Sequence, residues 1–153
     1  MKALIENEYV LLAARLIVGT LFIIVGIAKI ADPQLFAKEI ANYRLIPEFM
    51  VNSIAITLPW IELVSGLLLI LGIRLRANAA IITILLLMFN IMVAIAWARG
   101  LDINCGCYSH IAQETVGLKK ILENIGFMIL SIVIYIFPKN NLSLEYLILQ
   151  SEK

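Results

Sequence analysis

Long runs of apolar residues, separated by short polar segments, dominate the pattern along this chain. The four runs cover residues 11–30, 54–73, 77–98 and 121–137. Each is close to the roughly 20 residues that an α-helix, rising ~1.5 Å per residue, needs to cross ~30 Å of hydrocarbon. Strands do not fit, because they cross a membrane only in closed barrels of many alternating segments. The pattern predicts an all-α membrane protein with four transmembrane helices in one domain, followed by a peripheral tail over residues 138–153.

The segment between the first two runs has a pattern of its own. Asp32 and Pro33 are typical of a helix start, as the N-cap and the first helical residue. Phe36, Ile40 and Tyr43 then fall on one face of the helix that follows. This spacing predicts a short amphipathic helix that lies at the membrane interface, between transmembrane helices one and two.

The other two connections differ in length. Residues 74–76, Arg-Leu-Arg, read as one tight turn, so the second and third helices should form an antiparallel hairpin. The connection over residues 99–120 is longer and carries both cysteines of the chain. With four crossings, this connection and the amphipathic helix fall on the same side of the membrane.

One face of each predicted helix carries polar or small residues, whereas the opposite face is almost wholly Leu, Ile, Val and Phe. These stripes are Arg15, Gly19, Phe22, Gly26 and Lys29 on the first helix; Ala55, Pro59, Glu62, Gly66 and Leu69 on the second; Thr83, Asn90, Ala94 and Trp97 on the third; and Asn124, Met128, Ser131 and Tyr135 on the fourth. Pointing all four stripes inward gives an antiparallel four-helix bundle, in which glycines let the backbones approach closely.

Charged residues inside the runs mark a candidate site, because a charge in hydrocarbon is costly unless it finds a partner. Glu62 falls near the bilayer midplane, and Arg15 and Lys29 lie near opposite ends of the first helix. With Asn90, these residues form a predicted intramembrane polar site. The charges could orient the bundle, or Glu62 could relay a proton or contact a ligand. The sequence predicts a basic partner for Glu62 without choosing between Arg15 and Lys29.

Composition agrees with a membrane protein. Hydrophobic residues make up 62% of the 153 positions and charged residues 15%, which is more apolar than a soluble chain of this length can bury. The net charge of +1 gives no basis for a nucleic-acid partner. Basic residues divide evenly between the two predicted sides, so the positive-inside rule does not orient the chain. The lipid bilayer is therefore the partner that composition predicts.

Two cysteines, Cys105 and Cys107, flank Gly106 just beyond the third run. Glycine lets the backbone fold tightly enough to bring the sulfurs together, and a disulfide that closes so small a ring favours electron exchange over structural support. We therefore predict that this pair undergoes thiol–disulfide exchange. Inert cysteines and a static disulfide are alternatives. So is metal binding with His110, although that set is one ligand short of structural zinc. We assign no metal site.

The sequence resembles the MauE/DoxX family of small redox-associated membrane proteins. The resemblance rests on motifs in the family's order: residues 26–29 (GIAK) with 32–33 (DP), 43–47 (YRLIP), 58–63 (LPWIEL) with Gly66, and Cys105-Gly106-Cys107. It covers most of the chain, from Arg15 to about residue 137. It implies a four-helix protein of the bacterial cytoplasmic membrane, with a fold similar to vitamin K epoxide reductase and the cysteines on the periplasmic side.

The resemblance also implies a function. MauE-type members are linked to maturation of disulfide-rich periplasmic proteins alongside a thioredoxin-like partner, and DoxX-type members to sulfur oxidation and quinone. Vitamin K epoxide reductase uses two cysteine pairs and this chain has one, so a partner would have to supply the other thiols for any quinone chemistry. We expect a membrane-embedded thiol–disulfide relay through Cys105 and Cys107, with a thioredoxin-like or periplasmic redox partner. A non-catalytic assembly or scaffold subunit and a small transporter are the competing hypotheses.

Overall fold

The computed structural model describes residues 8–100 and 118–138, and within these ranges the regular structure is entirely helical. The helices are α1 (Glu8–Ala31), α2 (Pro33–Asn42), α3 (Glu48–Leu71), α4 (Leu75–Ala98) and α5 (Leu118–Ile136). The four long helices match the four predicted runs. The largest difference is at the start of α3, which begins at Glu48 rather than near residue 54, because Pro47 occupies its N-cap position.

Three of these helices are long and apolar enough to cross a membrane. They are α1, α3 and α4, each of 24 residues. The chain is therefore a multi-pass membrane protein. The fourth long helix, α5, has 19 residues, and its apolar part is the shorter stretch Ile121–Ile136. A fourth crossing and the antiparallel order of the crossings stay predictions.

The long helices pack as two close pairs. The most extensive interface joins α1 to α3, and the next joins α4 to α5. Smaller interfaces connect α3 with α4 and α1 with α5, while α2 packs mainly on α3. The largest buried apolar cluster includes Val18, Leu69, Ile82 and Ile134 and so draws on all four long helices.

Glycines set the close approach of α1 and α3. A Cβ at Gly19 would lie 2.9 Å from the carbonyl oxygen of Gly66, and one at Gly26 would lie 3.0 Å from the carbonyl oxygen of Pro59. Such contacts leave no room for a side chain, so the two backbones touch directly along the stripes. The predicted role of the glycines on these two helices is confirmed.

The helix α2 begins as the sequence predicts. Asp32 is its N-cap, and the Asp32 Oδ1 atom accepts a hydrogen bond of 2.9 Å from the Leu35 backbone N–H. Phe36, Ile40 and Tyr43 are all buried on the predicted face. Glu39 of the same helix is also buried. The helix is therefore held tightly against α3 rather than resting loosely beside it.

The turn between α3 and α4 lies two residues earlier than predicted. Gly72 and Arg74 have positive φ angles of 77° and 44°, and Leu75 already begins α4. The turn therefore spans residues 72–74, because glycine readily takes the left-handed conformation that ends α3. Asn78 Nδ2 donates a hydrogen bond of 2.7 Å to the Ile73 carbonyl and holds the turn from the α4 side.

The predicted stripes are fully buried on α1 and α3 but only partly buried on α4 and α5. Asn90, Asn124 and Ser131 are buried, whereas Ala94, Trp97 and Tyr135 are exposed, so the prediction was wrong for these last three. The inward face of α4 is instead mostly apolar, and includes Ile82, Leu86 and Val93. The predicted stripe followed the few polar residues of α4, and it therefore lay towards the edge of the inward face.

Candidate functional site

A buried ion pair joins α1 to α3. Lys29 Nζ donates to both carboxylate oxygens of Glu62, at 2.7 and 2.8 Å. The two side chains are only 8% and 10% exposed, so neither charge is solvated from outside. Lys29 is thus the basic partner that the sequence predicted without naming. Because both side chains are buried, each charge is stabilised by the other, and an uncompensated buried charge would be strongly destabilising.

Local packing explains why these two side chains meet. Gly26 brings α1 against α3 at the level of Pro59 and Leu63, where a Cβ at Gly26 would lie 3.0 Å from the Leu63 nitrogen. Lys29 follows Gly26 by three residues and therefore projects from the same face of α1. It lies in the last turn of that helix, where the helix dipole favours a positive charge. Its long side chain then reaches the carboxylate of Glu62.

The ring of Phe36 completes the surroundings of the ammonium group. Lys29 Nζ lies 4.6 Å from the ring centroid, within the range of a cation–π interaction. Phe36 belongs to α2, so the amphipathic helix contributes directly to the site. The sequence placed Phe36 on the buried face of α2, but it gave no signal that this face covers Lys29.

A cavity of about 210 Å³ lies beside the ion pair, between α2, α3 and α4. Lys29 and Glu62 form part of its wall. The rest of the lining is mainly apolar and includes Phe36, Leu58 and Met92, but Glu39 and Thr57 also contribute to it. A mostly apolar chamber with a few polar groups is the usual form of a small-molecule site.

A second cavity, of about 40 Å³, lies against the same ion pair and is also lined by Asn124 of α5. Asn124 Nδ2 is buried and has no hydrogen-bond partner among the residues that the structure describes. A cavity of this volume is large enough for a water molecule, which needs two or more polar partners. Lys29, Glu62 and Asn124 could supply them. The sequence placed Asn124 in a stripe without assigning it to the site.

Arg15 lies away from the ion pair, at the other end of α1. Its Nε and Nη2 atoms each donate a hydrogen bond of 3.2 Å, to the carbonyl oxygens of Leu69 and Ile70. These carbonyls belong to the last turn of α3, which a positive charge stabilises. Arg15 therefore caps the C-terminal end of α3 and is not the partner of Glu62.

Asn90, the remaining predicted member of the polar site, is buried on α4. Neither its Nδ2 nor its Oδ1 has a hydrogen-bond partner within the described ranges. It lines neither of the two cavities beside the ion pair. Of the four predicted residues, the structure therefore brings together only Lys29 and Glu62.

Cys105, Cys107 and His110 lie outside the described residues, but both flanks of their segment are described. Tyr43, at the end of α2, is in one buried cluster with Val93 and Ala96 of α4, and Ile121 of α5 packs against that cluster. The chain thus leaves α4 and enters α5 beside the end of α2. That the cysteine segment and the amphipathic helix share one side of the membrane stays a prediction.

The described part of the site suits hydrogen bonding and charge stabilisation in a largely apolar environment. A buried carboxylate can accept hydrogen bonds or carry a proton, and its ammonium partner holds it in place. No group of three or more His, Cys, Asp or Glu residues that could hold a metal occurs within residues 8–100 and 118–138.

Comparison with known proteins gives matches of one kind. The chain matches the family described as Methylamine utilisation protein MauE over residues 7–137. The Methylamine utilization protein MauE of Methylophilus methylotrophus is 28% identical over 141 residues, covering 90% of this chain and 74% of that protein. The protein of the same name from Methylorubrum extorquens is 31% identical over 111 residues, which cover 69% of this chain and 60% of the length of that protein.

A third relative, the Methylamine utilization protein MauE of Paracoccus denitrificans, is 27% identical over 126 residues, which are 82% of this chain and 68% of that protein. The matched segments thus span between 60% and 74% of these three relatives. No solved structure matches the chain.

Proposed function

The chain belongs to the MauE family, and on that premise we propose that it is a membrane-embedded thiol–disulfide exchange protein whose working pair is Cys105 and Cys107. The observation that carries the proposal is the Cys-Gly-Cys sequence itself, whose first cysteine, Cys105, follows shortly after the end of the membrane-spanning helix α4 at Ala98. A pair separated by one glycine closes too small a loop to stabilise a fold, so its chemistry is the better reason for its presence.

The exchange proceeds through a mixed disulfide. A thiol of a reduced partner loses its proton, the resulting thiolate attacks one sulfur of the Cys105–Cys107 disulfide, that bond breaks, and the released cysteine leaves as a thiolate that takes up a proton. The second thiol of the partner then loses its proton and attacks the partner's own sulfur in the mixed disulfide. The second cysteine leaves as a thiolate and takes up a proton, which yields an oxidised partner and a reduced pair. Two electrons and two protons move in total. The reverse reaction follows the same path, and the two reduction potentials set the direction.

The surroundings of the segment support a docking role. Its described flanks meet the end of α2 through Tyr43, Val93 and Ala96, and we propose that a partner bound at the cysteines also contacts this helix. We propose a thioredoxin-like or periplasmic redox protein as this partner, a bacterial cytoplasmic membrane location, and a periplasmic cysteine segment. In this arrangement α1, α3, α4 and α5 all cross the bilayer as an antiparallel four-helix bundle around the Lys29–Glu62 pair.

The names of the relatives point to the wider process. They are methylamine utilization proteins, and we extend this role to the present chain. A thiol–disulfide exchange protein would act there by setting the cysteine oxidation state of another protein of the system. The reaction proposed for Cys105 and Cys107 does not depend on which protein that is.

Thiol labelling in growing cells tests the relay. The chain has two cysteines, so a maleimide mass tag separates the states that carry no, one and two free thiols. We expect an untagged, oxidised fraction that gains two tags after reduction. We also expect Cys105→Ser or Cys107→Ser to trap a partner in a mixed disulfide, visible on a non-reducing gel. The double serine variant is the matched control and should trap nothing.

Two outcomes would overturn the relay. One is a pair that stays fully reduced in growing cells. The other is a double serine variant, Cys105→Ser with Cys107→Ser, that retains all function of the wild type. Either result would favour a non-catalytic scaffold subunit, in which the cysteines are incidental. A membrane-impermeant maleimide, applied to intact cells, reports at the same time whether the segment is periplasmic.

A further inference from the structure

We propose that the cavity between α2, α3 and α4 binds a membrane-soluble molecule with a single ring, whose hydroxyl group donates a hydrogen bond to Glu62. This site lies inside the helical part of the protein and does not depend on the cysteine chemistry proposed above. The chemical class of the ligand follows from three observations: the size of the cavity, the unused capacity of Glu62 to accept hydrogen bonds, and the position of the cavity mouth.

The volume fits one ring. At about 210 Å³, the cavity exceeds the ~150 Å³ of an engineered apolar cavity that accommodates benzene. It falls below the range of roughly 300–1,000 Å³ that is typical of sites for larger ligands. The side chains of Phe36, Ile40, Leu58 and Met92 give the wall an apolar surface that a ring can contact. A one-ring molecule with a short substituent therefore fills the space.

The polar wall selects a hydrogen-bond donor. An ionised carboxylate has about four lone-pair sites, and Lys29 is the one donor to Glu62 among the described residues. Lys29 Nζ is itself engaged by both carboxylate oxygens and by the ring of Phe36. Glu39 also lines the cavity but has an interaction of its own, so we assign the free capacity for accepting a hydrogen bond to Glu62. A hydroxyl group of a ligand can donate a hydrogen bond to the Glu62 carboxylate. A carbonyl oxygen of a ligand cannot, because it is itself a hydrogen-bond acceptor.

The mouth of the cavity points to the bilayer as the source of the ligand. Thr57 of α3 and Met88 of α4 line the cavity and are also exposed on the outside of these two membrane-spanning helices. A ligand that enters between them comes from the hydrocarbon and must dissolve there. This requirement excludes charged and strongly polar molecules and is met by a phenol or an alkyl-substituted cyclic alcohol.

A pair of probes that differ in one hydrogen-bond donor tests the proposal. The probes are 4-ethylphenol and its methyl ether, 4-ethylanisole, which have nearly the same shape. Binding to the protein in lipid nanodiscs is followed by the rise in thermal unfolding temperature with probe concentration. We expect the phenol to bind about 10- to 100-fold more tightly, the ratio that one hydrogen bond to a charged group gives. Equal affinities would overturn the recognition of a hydroxyl group.

A double variant tests whether Glu62 is the group that distinguishes the phenol from the ether. In the double variant Lys29→Leu with Glu62→Leu, we expect the phenol and the ether to bind within about twofold of each other, because the Glu62 acceptor is gone and Glu39, the other carboxylate of the lining, has its own interaction. A retained preference for the phenol would contradict the role of Glu62. The double replacement removes both charges of the ion pair together, a change that folded proteins often tolerate.

A cavity-filling variant gives a second, independent test. Leu58→Phe adds a ring inside the cavity, and Leu67→Phe adds the same ring to the exposed face of α3 as the matched control. We expect the first to weaken binding of both probes about tenfold or more and the second to leave it unchanged. Equal behaviour of the two variants would place binding elsewhere. All measurements are repeated with Cys105→Ser and Cys107→Ser, so a failed relay does not affect the result.

Discussion

Gly19 and Gly66 contact each other reciprocally across the α1–α3 interface. A Cβ on Gly19 would lie 2.9 Å from the Gly66 carbonyl oxygen, and a Cβ on Gly66 would lie 2.8 Å from the Gly19 carbonyl oxygen. Neither helix can therefore carry even a methyl group here without moving away from the other. The same close approach, continued by Gly26, brings Lys29 within hydrogen-bond distance of Glu62.

Substitution of Gly66 by alanine should separate the two helices. We expect Gly66→Ala to lower the free energy of unfolding by about 1–3 kcal/mol, because the new methyl group meets backbone atoms that cannot rotate away. Gly126→Ala is the matched control, since a Cβ at Gly126 has no neighbour within 4 Å. That variant should be neutral or stabilising by up to about 1 kcal/mol. Denaturant titration in detergent micelles measures both, and similar losses in the two variants would contradict the close approach.

The Lys29–Glu62 pair should show strong coupling between its two members. We expect Lys29→Leu or Glu62→Leu alone to cost about 3–5 kcal/mol, because each leaves a buried charge without its partner. The double variant should recover most of this loss. Lys119 and Glu123 on α5 provide an exposed comparison, with Nζ and Oε1 3.9 Å apart, and a cycle on that pair should give only about 0.5 kcal/mol. Additive losses at Lys29 and Glu62 would argue against a direct interaction.

Arg15 should stabilise the end of α3 rather than the ion pair. We expect Arg15→Met to lower the free energy of unfolding by about 1.5–3 kcal/mol, since it removes the charged donor to the Leu69 and Ile70 carbonyls. Arg76→Met, at an exposed position near the start of α4, should change it by less than about 0.5 kcal/mol.

The effect of Arg15→Met should also be independent of the ion pair. Combined with Lys29→Leu, it should give the sum of the two separate losses, because the side chains share no partner. A clear departure from this sum would mean that Arg15 also interacts with the Lys29–Glu62 pair.

Two asparagines on α4 should respond in opposite ways to the same substitution. Asn90 has two buried polar atoms that lack partners among the described residues, so Asn90→Leu should raise the unfolding temperature or leave it unchanged. Asn78→Leu removes the 2.7 Å hydrogen bond to the Ile73 carbonyl and should lower it. A loss of stability in Asn90→Leu would show that Asn90 has a partner beyond the described residues.

The fold was largely predictable because the bilayer limits the choices. Run length alone located the four long helices, and the cap residues Asp32 and Pro33 located α2. The inward faces of α1 and α3 were also predictable, since glycines and charges share one face of each. On α4 the same reasoning was wrong at Ala94 and Trp97, because an inward face in a membrane can be as apolar as an outward one.

The candidate site was predictable only in part. Burial of Glu62 and its need for a basic partner follow from one sequence, but the choice of Lys29 over Arg15 depends on the depth at which α1 and α3 meet. The roles of Phe36 and Asn124 depend on contacts between helices that are distant in sequence, and a periodic pattern carries no information about such contacts. The redox role of Cys105 and Cys107 stays a prediction from the sequence.

The ion pair also has a consequence for how the chain enters the membrane. Lys29 and Glu62 are 33 residues apart, on two different spans, so α1 is synthesised before the carboxylate that neutralises it. Released alone into lipid, α3 would carry the Glu62 carboxylate within its span at a cost of several kcal/mol, whereas Lys29 lies in the last turn of α1. We therefore expect α1 to stay near the translocon until α3 arrives, so that Glu62 enters the lipid together with its partner Lys29.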